Sequence, residues 1–237
     1  MLIFRSTIYF AWFVLLTVVL NLGFLPSLLM PAGAIRFGAR LWCLGQLWGL
    51  KTFAGLSYEV RGPIPPQGVL VASKHMSMWD TVALYVLLRE ANIVLKSELF
   101  FVPLYGWYAA KHRFIFIDRE ARASALRKMI VGAKSAIARG ETLLIFPEGT
   151  RKKPGAAPDY KPGVAALYDQ LDVECVPVAL NSGLFWTGPM GFLKRPGEVI
   201  IEFLPAIAPG LKRKEFMATL EERIETAVKQ IVGQSRE

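Results

Sequence analysis

A chain of 237 residues is long enough for one α/β domain with a full core and too short for two large ones. Hydrophobic residues make up 53% and charged residues 20%, more apolar than a soluble enzyme needs, while a net charge of +9 suits an anionic membrane surface or nucleic acid. No zinc finger, RNP-type aromatic motif or repeat accompanies that charge, which favours the membrane and excludes the usual nucleic-acid modules.

The apolar excess is concentrated at the N-terminus. No charged residue occurs between Ser6 and Ile35, and Ile8 to Leu20 is almost continuously apolar and aromatic, long enough to enter a bilayer. Three readings compete: a signal peptide with Ala32-Gly33-Ala34 as its cleavage site, a simple transmembrane helix, or an embedded helix paired with a second one at Ala39 to Phe53. The run is long for a signal peptide, and Asn21, Gly23, Pro26 and Pro31 interrupt its second half. Arg5 precedes it and Arg36, Arg40 and Lys51 follow, so the basic flanks do not single out a spanning orientation. The expectation is an uncleaved two-helix anchor in one leaflet: residues 1–55 embedded in the membrane, residues 56–237 forming an α/β domain.

Beyond the anchor, short β-like runs alternate with helical stretches. Strands are expected at 57–60, 68–72, 93–95, 113–117, 142–146, 175–180 and 199–203, and helices at 78–89, 122–138, 164–171 and 214–232. In the last helix Phe216, Leu220, Ile224, Val228 and Ile231 fall on one face. Pro- and Gly-rich segments at 62–68 and 154–162 read as loops. Alternating units with several continuously apolar strands imply a mixed, largely parallel sheet covered by helices. Cys43 and Cys175, far apart among apolar residues, read as buried thiols in a reducing compartment. Two His and two Cys, scattered, leave no metal site to expect.

Two segments carry chemistry. The first, Lys74-His75-Met76-Ser77-Met78-Trp79-Asp80, puts an imidazole just before a helix start and a carboxylate in its first turn. Ser77 and Asp80 also form a capping box, so the plain reading has Asp80 capping the helix and His75 at the surface. The readings are compatible, because a first-turn carboxylate can reach back to a side chain just upstream. The second segment, Phe146-Pro147-Glu148-Gly149-Thr150-Arg151, is a turn at the end of an apolar strand that can present Arg to an anion. A base with an orienting acid beside such a turn is what acyl transfer to a phosphate-bearing alcohol requires. No Gly-x-Ser-x-Gly elbow exists, which counts against a serine hydrolase. His112 reads as a surface or satisfied core residue, and Asp118-Arg119 as an ion pair or a ligand contact.

The blocks His75 to Asp80, Lys96-Ser97-Glu98-Leu99 with Pro103 and Gly106, Phe116-Ile117-Asp118-Arg119, Phe146 to Arg151 and Val176-Pro177-Val178 come in an order that resembles the glycerolipid acyltransferase family. Its best-known bacterial members are the lysophosphatidic acid acyltransferases, and the resemblance runs from about Tyr58 to Pro205. It implies His75 as general base, Asp80 as its partner, Arg151 with Lys96 as phosphate ligands, and Glu148, Gly149, Thr150 and Arg119 in the acceptor site. It further implies an acyl-CoA or acyl-carrier-protein donor and no cofactor. The acceptor would be a lysophospholipid, with lyso-ornithine lipid as the alternative, used at the inner (cytoplasmic) membrane with the site facing the cytoplasm. Two departures stand out: Lys74 replaces the usual Asn, where a cation is expected to disfavour a protonated His75, and Lys152-Lys153-Pro154 follows the turn.

Overall fold

The computed structural model describes residues 1–118, 121–187 and 191–235. Two helices lead, α1 Leu2–Gly23 and α2 Ala32–Gly49, joined by a 3-10 helical turn at Leu25–Leu29. That turn falls where Pro26 removes a backbone donor, as the interrupted apolar run suggests. The second helix starts earlier than the expected Ala39, because Pro31 sits at its N-cap and the small residues Ala32, Gly33 and Ala34 wind into its first turn. It runs on through a wider π-type turn, Leu50–Ala54, and stops at Gly55, whose φ of 68° is left-handed.

The strands are β1 Leu56–Arg61, β2 Leu70–Ser73, β3 Ala91–Lys96, β4 Ile115–Ile117, β5 Thr142–Ile145, β6 Cys175–Leu180 and β7 Gly197–Phe203. They form one sheet in the order β1-β7-β6-β2-β5-β3-β4. From β6 to β4 every neighbour is parallel, whereas β7 runs antiparallel to β6 and carries β1 parallel to itself. The expected mixed, largely parallel sheet is therefore present.

Five more helices cover it: α3 Met78–Leu87, α4 Tyr105–His112, α5 Arg122–Ala138, α6 Gly163–Leu171 and α7 Arg213–Gln234. Strand side chains alternate between two cores. Val71, Leu144, Val178 and Ile201 pack with α1, α2, α3 and α4, and Leu70, Leu143, Ile145 and Ile200 pack with α5, α6 and α7. The stripe on α7 from Phe216 to Ile231 is buried as its spacing predicts. Helix α4 is absent from the sequence reading. It has only eight residues, too few to display a period, and Gly106 inside it looks like a breaker. The glycine is needed because a Cβ there would lie 1.8 Å from the Phe100 carbonyl oxygen.

The first helix is long and apolar enough to cross a membrane, and Phe4, Leu15, Val19 and Leu22 are among its exposed residues. Its inner face meets glycines of α2: Gly38 faces Phe24, Gly45 faces Leu16 and Gly49 faces Trp12. The indole N–H of Trp12 donates to the Gly45 carbonyl at 3.0 Å, and that of Trp42 to Thr17 Oγ1 at 3.0 Å. Small residues that let helix backbones approach closely are the usual device for packing helices in lipid.

These contacts predict opposite outcomes for two Gly→Ala changes. Alanine gains about 1 kcal/mol in a helix interior by propensity alone. At Gly45 the neighbour is the flexible tip of Leu16, which can move aside, so Gly45→Ala should be near neutral. At Gly49 the new Cβ would lie 2.3 Å from the rigid Trp12 ring, so Gly49→Ala should lose about 1–3 kcal/mol. Thermal unfolding of the detergent-solubilised variants decides; a Gly49→Ala protein as stable as wild type contradicts the packing.

Candidate active site

Parallel strands bring their C-terminal ends to one edge of a sheet, where loops can gather side chains from distant parts of the chain. Along this edge Ser182 follows β6, His75 follows β2, Glu148 follows β5, Lys96 ends β3 and Asp118 follows β4. Main-chain bonds fix the loops to each other. Lys74 N–H donates to the Val178 carbonyl at 3.0 Å, Lys152 N–H to that of His75 at 2.9 Å, and Lys161 N–H to that of Pro147 at 2.9 Å.

In the first motif the capping box and a contact between Asp80 and His75 coexist. Ser77 is extended at the N-cap of α3, its hydroxyl accepts the Trp79 N–H at 3.2 Å, and Asp80 closes the capping box. The same Asp80 reaches His75: Oδ2 lies 3.0 Å from Nδ1 and also accepts the amides of Met76 at 2.6 Å and Ser77 at 2.9 Å. Its other oxygen accepts the hydroxyl of Ser182, and Ser77 Oγ lies 2.8 Å from Ser182 Oγ. Asp80 is wholly buried, and the His75 side chain is only 12% exposed. With Nδ1 hydrogen-bonded to a carboxylate, the imidazole carries its proton on Nδ1 and leaves Nε2 as a base. The ring is held flat on Phe146, with centroids 3.9 Å apart and planes 19° from parallel. The amides of Met76, Ser77 and Trp79 are all engaged, which removes them as donors to an oxyanion.

Gly149 supplies the left-handed residue of the second motif, with φ of 64°, and its N–H donates to the Phe146 carbonyl at 2.9 Å. Glu148 is buried, and desolvation raises its pKa against the pull of Lys74. The Lys74 ammonium is where the sequence reading needs correcting. Rather than sitting beside the imidazole, it lies 2.8 Å from Glu148 Oε1 and 2.7 Å from Glu225 Oε1 on α7. The ammonium is thus engaged by two carboxylates.

A cavity of about 1840 Å³ is lined by His75, Glu148, Gly149, Thr150, Arg151 and Lys96 together with apolar side chains of α1, α2 and α4. The Lys96 side chain is half exposed and paired with Glu98. Arg119 lies outside the described residues. His112 is a core residue: it is buried, bonded to the Tyr85 hydroxyl at 2.7 Å, and held down to about 4 chiefly by burial, hence neutral. Both cysteines are buried free thiols, and no group of His, Cys, Asp or Glu suited to a metal occurs among the described residues. Sequence reasoning missed Ser182, Phe146 and Glu225. Only Phe146 lies within a motif, and Ser182 is 102 residues from its partner Asp80.

An imidazole base oriented by a buried acid, beside an Arg-bearing turn on a large apolar cavity, has the parts an acyl-transfer enzyme needs. The Acyltransferase family model matches residues 57–181, and the chain belongs to that family. The 1-acyl-sn-glycerol-3-phosphate acyltransferase of Pseudomonas aeruginosa is 32% identical over 217 residues, which is 90% of this chain and 84% of that protein. A 1-acyl-sn-glycerol-3-phosphate acyltransferase of Chlamydomonas reinhardtii is 27% identical over 246 residues, 98% of this chain and 72% of its own length. The crystal structure of the 1-acyl-sn-glycerophosphate acyltransferase from Thermotoga maritima aligns over 95% of each chain with a TM-score of 0.77 at 21% identity, a likeness of fold.

Ser182 donates to a buried carboxylate, a class of bond worth about 1.5–3 kcal/mol. Ser182→Ala should therefore lower acyl-transfer turnover about tenfold or more while leaving substrate KM values close to wild type. Steady-state kinetics on the folded variant test this, and unchanged turnover shows that Asp80 is held well enough without Ser182.

Proposed function

We propose that this enzyme moves a fatty acyl chain from a thioester, acyl-CoA or acyl-carrier protein, to the free sn-2 hydroxyl of lysophosphatidic acid, giving phosphatidic acid. The observation that carries the reading is the 3.0 Å contact between His75 Nδ1 and Asp80 Oδ2, on the same cavity as the Glu148-Gly149-Thr150-Arg151 turn. The names of the curated relatives support the acceptor.

His75 Nε2 takes the proton of the acceptor hydroxyl as its oxygen attacks the thioester carbonyl. Asp80 holds the ring in place and stabilises the imidazolium that forms. Collapse of the tetrahedral intermediate forms the ester, breaks the C–S bond and returns the proton from His75 to the departing thiolate. Arg151, half-buried on the cavity wall, grips the phosphate through its forked donors, with Lys96 as a second cation and Thr150 beside it. The apolar part of the cavity takes the acyl chain, and the chemistry calls for no cofactor. Residues 1–55 embed in the inner membrane, with the site on its cytoplasmic side. Helix α1 supports this part of the reading through its exposed apolar face.

His75→Ala should abolish transfer with fold and membrane association intact, and Asp80→Asn should cut turnover by about 10³–10⁴ through the wrong tautomer. Near-normal turnover in either variant overturns the mechanism. For the acceptor, Arg151→Ala should lose about 1.5–3 kcal/mol, seen as a higher KM for lysophosphatidic acid with acyl thioester handled nearly as before. Arg151→Lys should recover only part of that loss, since it keeps charge without the fork. A folded Arg151→Ala enzyme with wild-type acceptor kinetics would move phosphate recognition elsewhere and make a phosphate-free acceptor such as lyso-ornithine lipid the better candidate.

A further inference from the structure

Burying an ammonium with two carboxylates is an expensive way to stabilise a core, since apolar residues of similar volume often do as well or better. Lys74 does this at 2% side-chain exposure, directly before the catalytic histidine. Its backbone is pinned between strands, the N–H to Val178 of β6 and the carbonyl to the Ser73 hydroxyl at 2.9 Å. Its ammonium reaches the first residue of the Glu148–Arg151 turn in one direction and helix α7 in the other. Glu225 is fixed in turn by the Tyr160 hydroxyl, which donates to the same Oε1 at 3.0 Å, and by the buried stripe of α7 on either side.

We propose that Lys74 is a positioning residue for acyl transfer: by bridging Glu148 and Glu225 it locks the acceptor-binding turn against His75 and ties both to helix α7. This rests on the reading of His75 and the turn given above. Lys74 acts through Glu148. Glu148 Oε1 accepts the Lys74 ammonium at 2.8 Å, which joins the turn to the catalytic loop. The groups facing it are Lys74 and His75 from the loop after β2, Glu225 from α7, and Tyr160 from the loop before α6, with Glu221 of α7 acting on Tyr160. Without Lys74, two carboxylates meet in a dry pocket and one must take a proton. Glu148 has a side chain 0% exposed against 17% for Glu225, and its pKa is already raised by desolvation, so it is the one that protonates. A protonated Glu148 turns from acceptor to donor, bonds toward Glu225, and draws the turn away from His75.

The test uses full-length enzyme in mixed micelles, with lysophosphatidic acid and acyl-CoA varied separately across pH. Lys74→Met should lower kcat/KM for the acceptor about 10- to 100-fold while the acyl-CoA KM changes about threefold or less. The acid limb of the acceptor kcat/KM profile should move up by about one pH unit, because loss of the cation raises the Glu148 pKa. Adding Glu225→Gln removes the facing charge, so the double variant should regain thermal stability yet keep the acceptor defect. Wild-type acceptor kinetics and pH profile in Lys74→Met, or activity in the double variant returning along with stability, overturn the proposal. Should Lys74→Met fail to fold, Glu225→Gln alone still tests the tie to α7: about a fivefold loss in acceptor kcat/KM supports it, and an unchanged value overturns it. Wild type and His75→Ala run alongside. Transfer by the first and not the second, with a Lys74→Met enzyme like wild type, defeats the positioning role alone, whereas no transfer to lysophosphatidic acid by wild type defeats the underlying reading and this proposal with it.

Discussion

A carboxylate removed from water costs several kcal/mol unless hydrogen bonds replace its hydration. Asp80 is wholly buried and recovers that cost from three directions: the amides of Met76 and Ser77, the hydroxyl of Ser182, and the imidazole of His75. Each donor belongs to a different structural need. The amides cap α3, the serine joins the loop after β6 to the loop after β2, and the imidazole is the proposed base. Helix start, loop packing and base orientation therefore share one anion, and none can be displaced without leaving the buried charge short of a partner. This is why the capping-box and catalytic readings of the motif do not compete.

The N-terminal hairpin is packed into the core of the α/β domain. The outer face of α1 is apolar and exposed, but Cys43 and Leu47 of α2 and Tyr9 of α1 lie in the same hydrophobic cluster as Val71 and Leu144 of the central strands. Tyr9 meets Trp186 edge to face at 6.0 Å, and the Lys194 ammonium stands 4.1 Å from the centroid of the Trp186 ring. The large cavity is walled by both parts, with His75 and residues of α1 and α2 on one continuous surface.

The strands and long helices were legible in the chain because each is set by local pattern. Runs such as Thr142-Leu143-Leu144-Ile145 and Cys175 to Leu180 are continuously apolar because both faces of the sheet are covered, and the α7 stripe repeats at helical spacing. His75 with Asp80, and the Gly149 turn, were legible because their partners lie within a few residues. Helix α4 was not, being short and glycine-bearing. Ser182 and Glu225 were not either, since their partners are 102 and 151 residues away and only the sheet order brings them together. The direction of the Lys74 side chain was misjudged for the same reason. Adjacency in sequence placed it beside His75, while the acids that attract it come from the turn after β5 and from α7.

The position of the Lys74 ammonium bears on how an anion could be bound here at all. Glu148 stands three residues before Arg151 on the same turn, and an uncompensated carboxylate there would repel the phosphate of the proposed acceptor. Lys74 provides a captive counter-ion on the buried side of the turn, so the Glu148 charge is met from within the protein instead of being left to face the acceptor. The cation is itself held by Glu225 at 2.7 Å. An uncharged side chain at this position could not neutralise Glu148. In this chain the turn, the base and α7 are therefore coupled by charge, and the pH response of the acceptor side should carry the mark of that coupling.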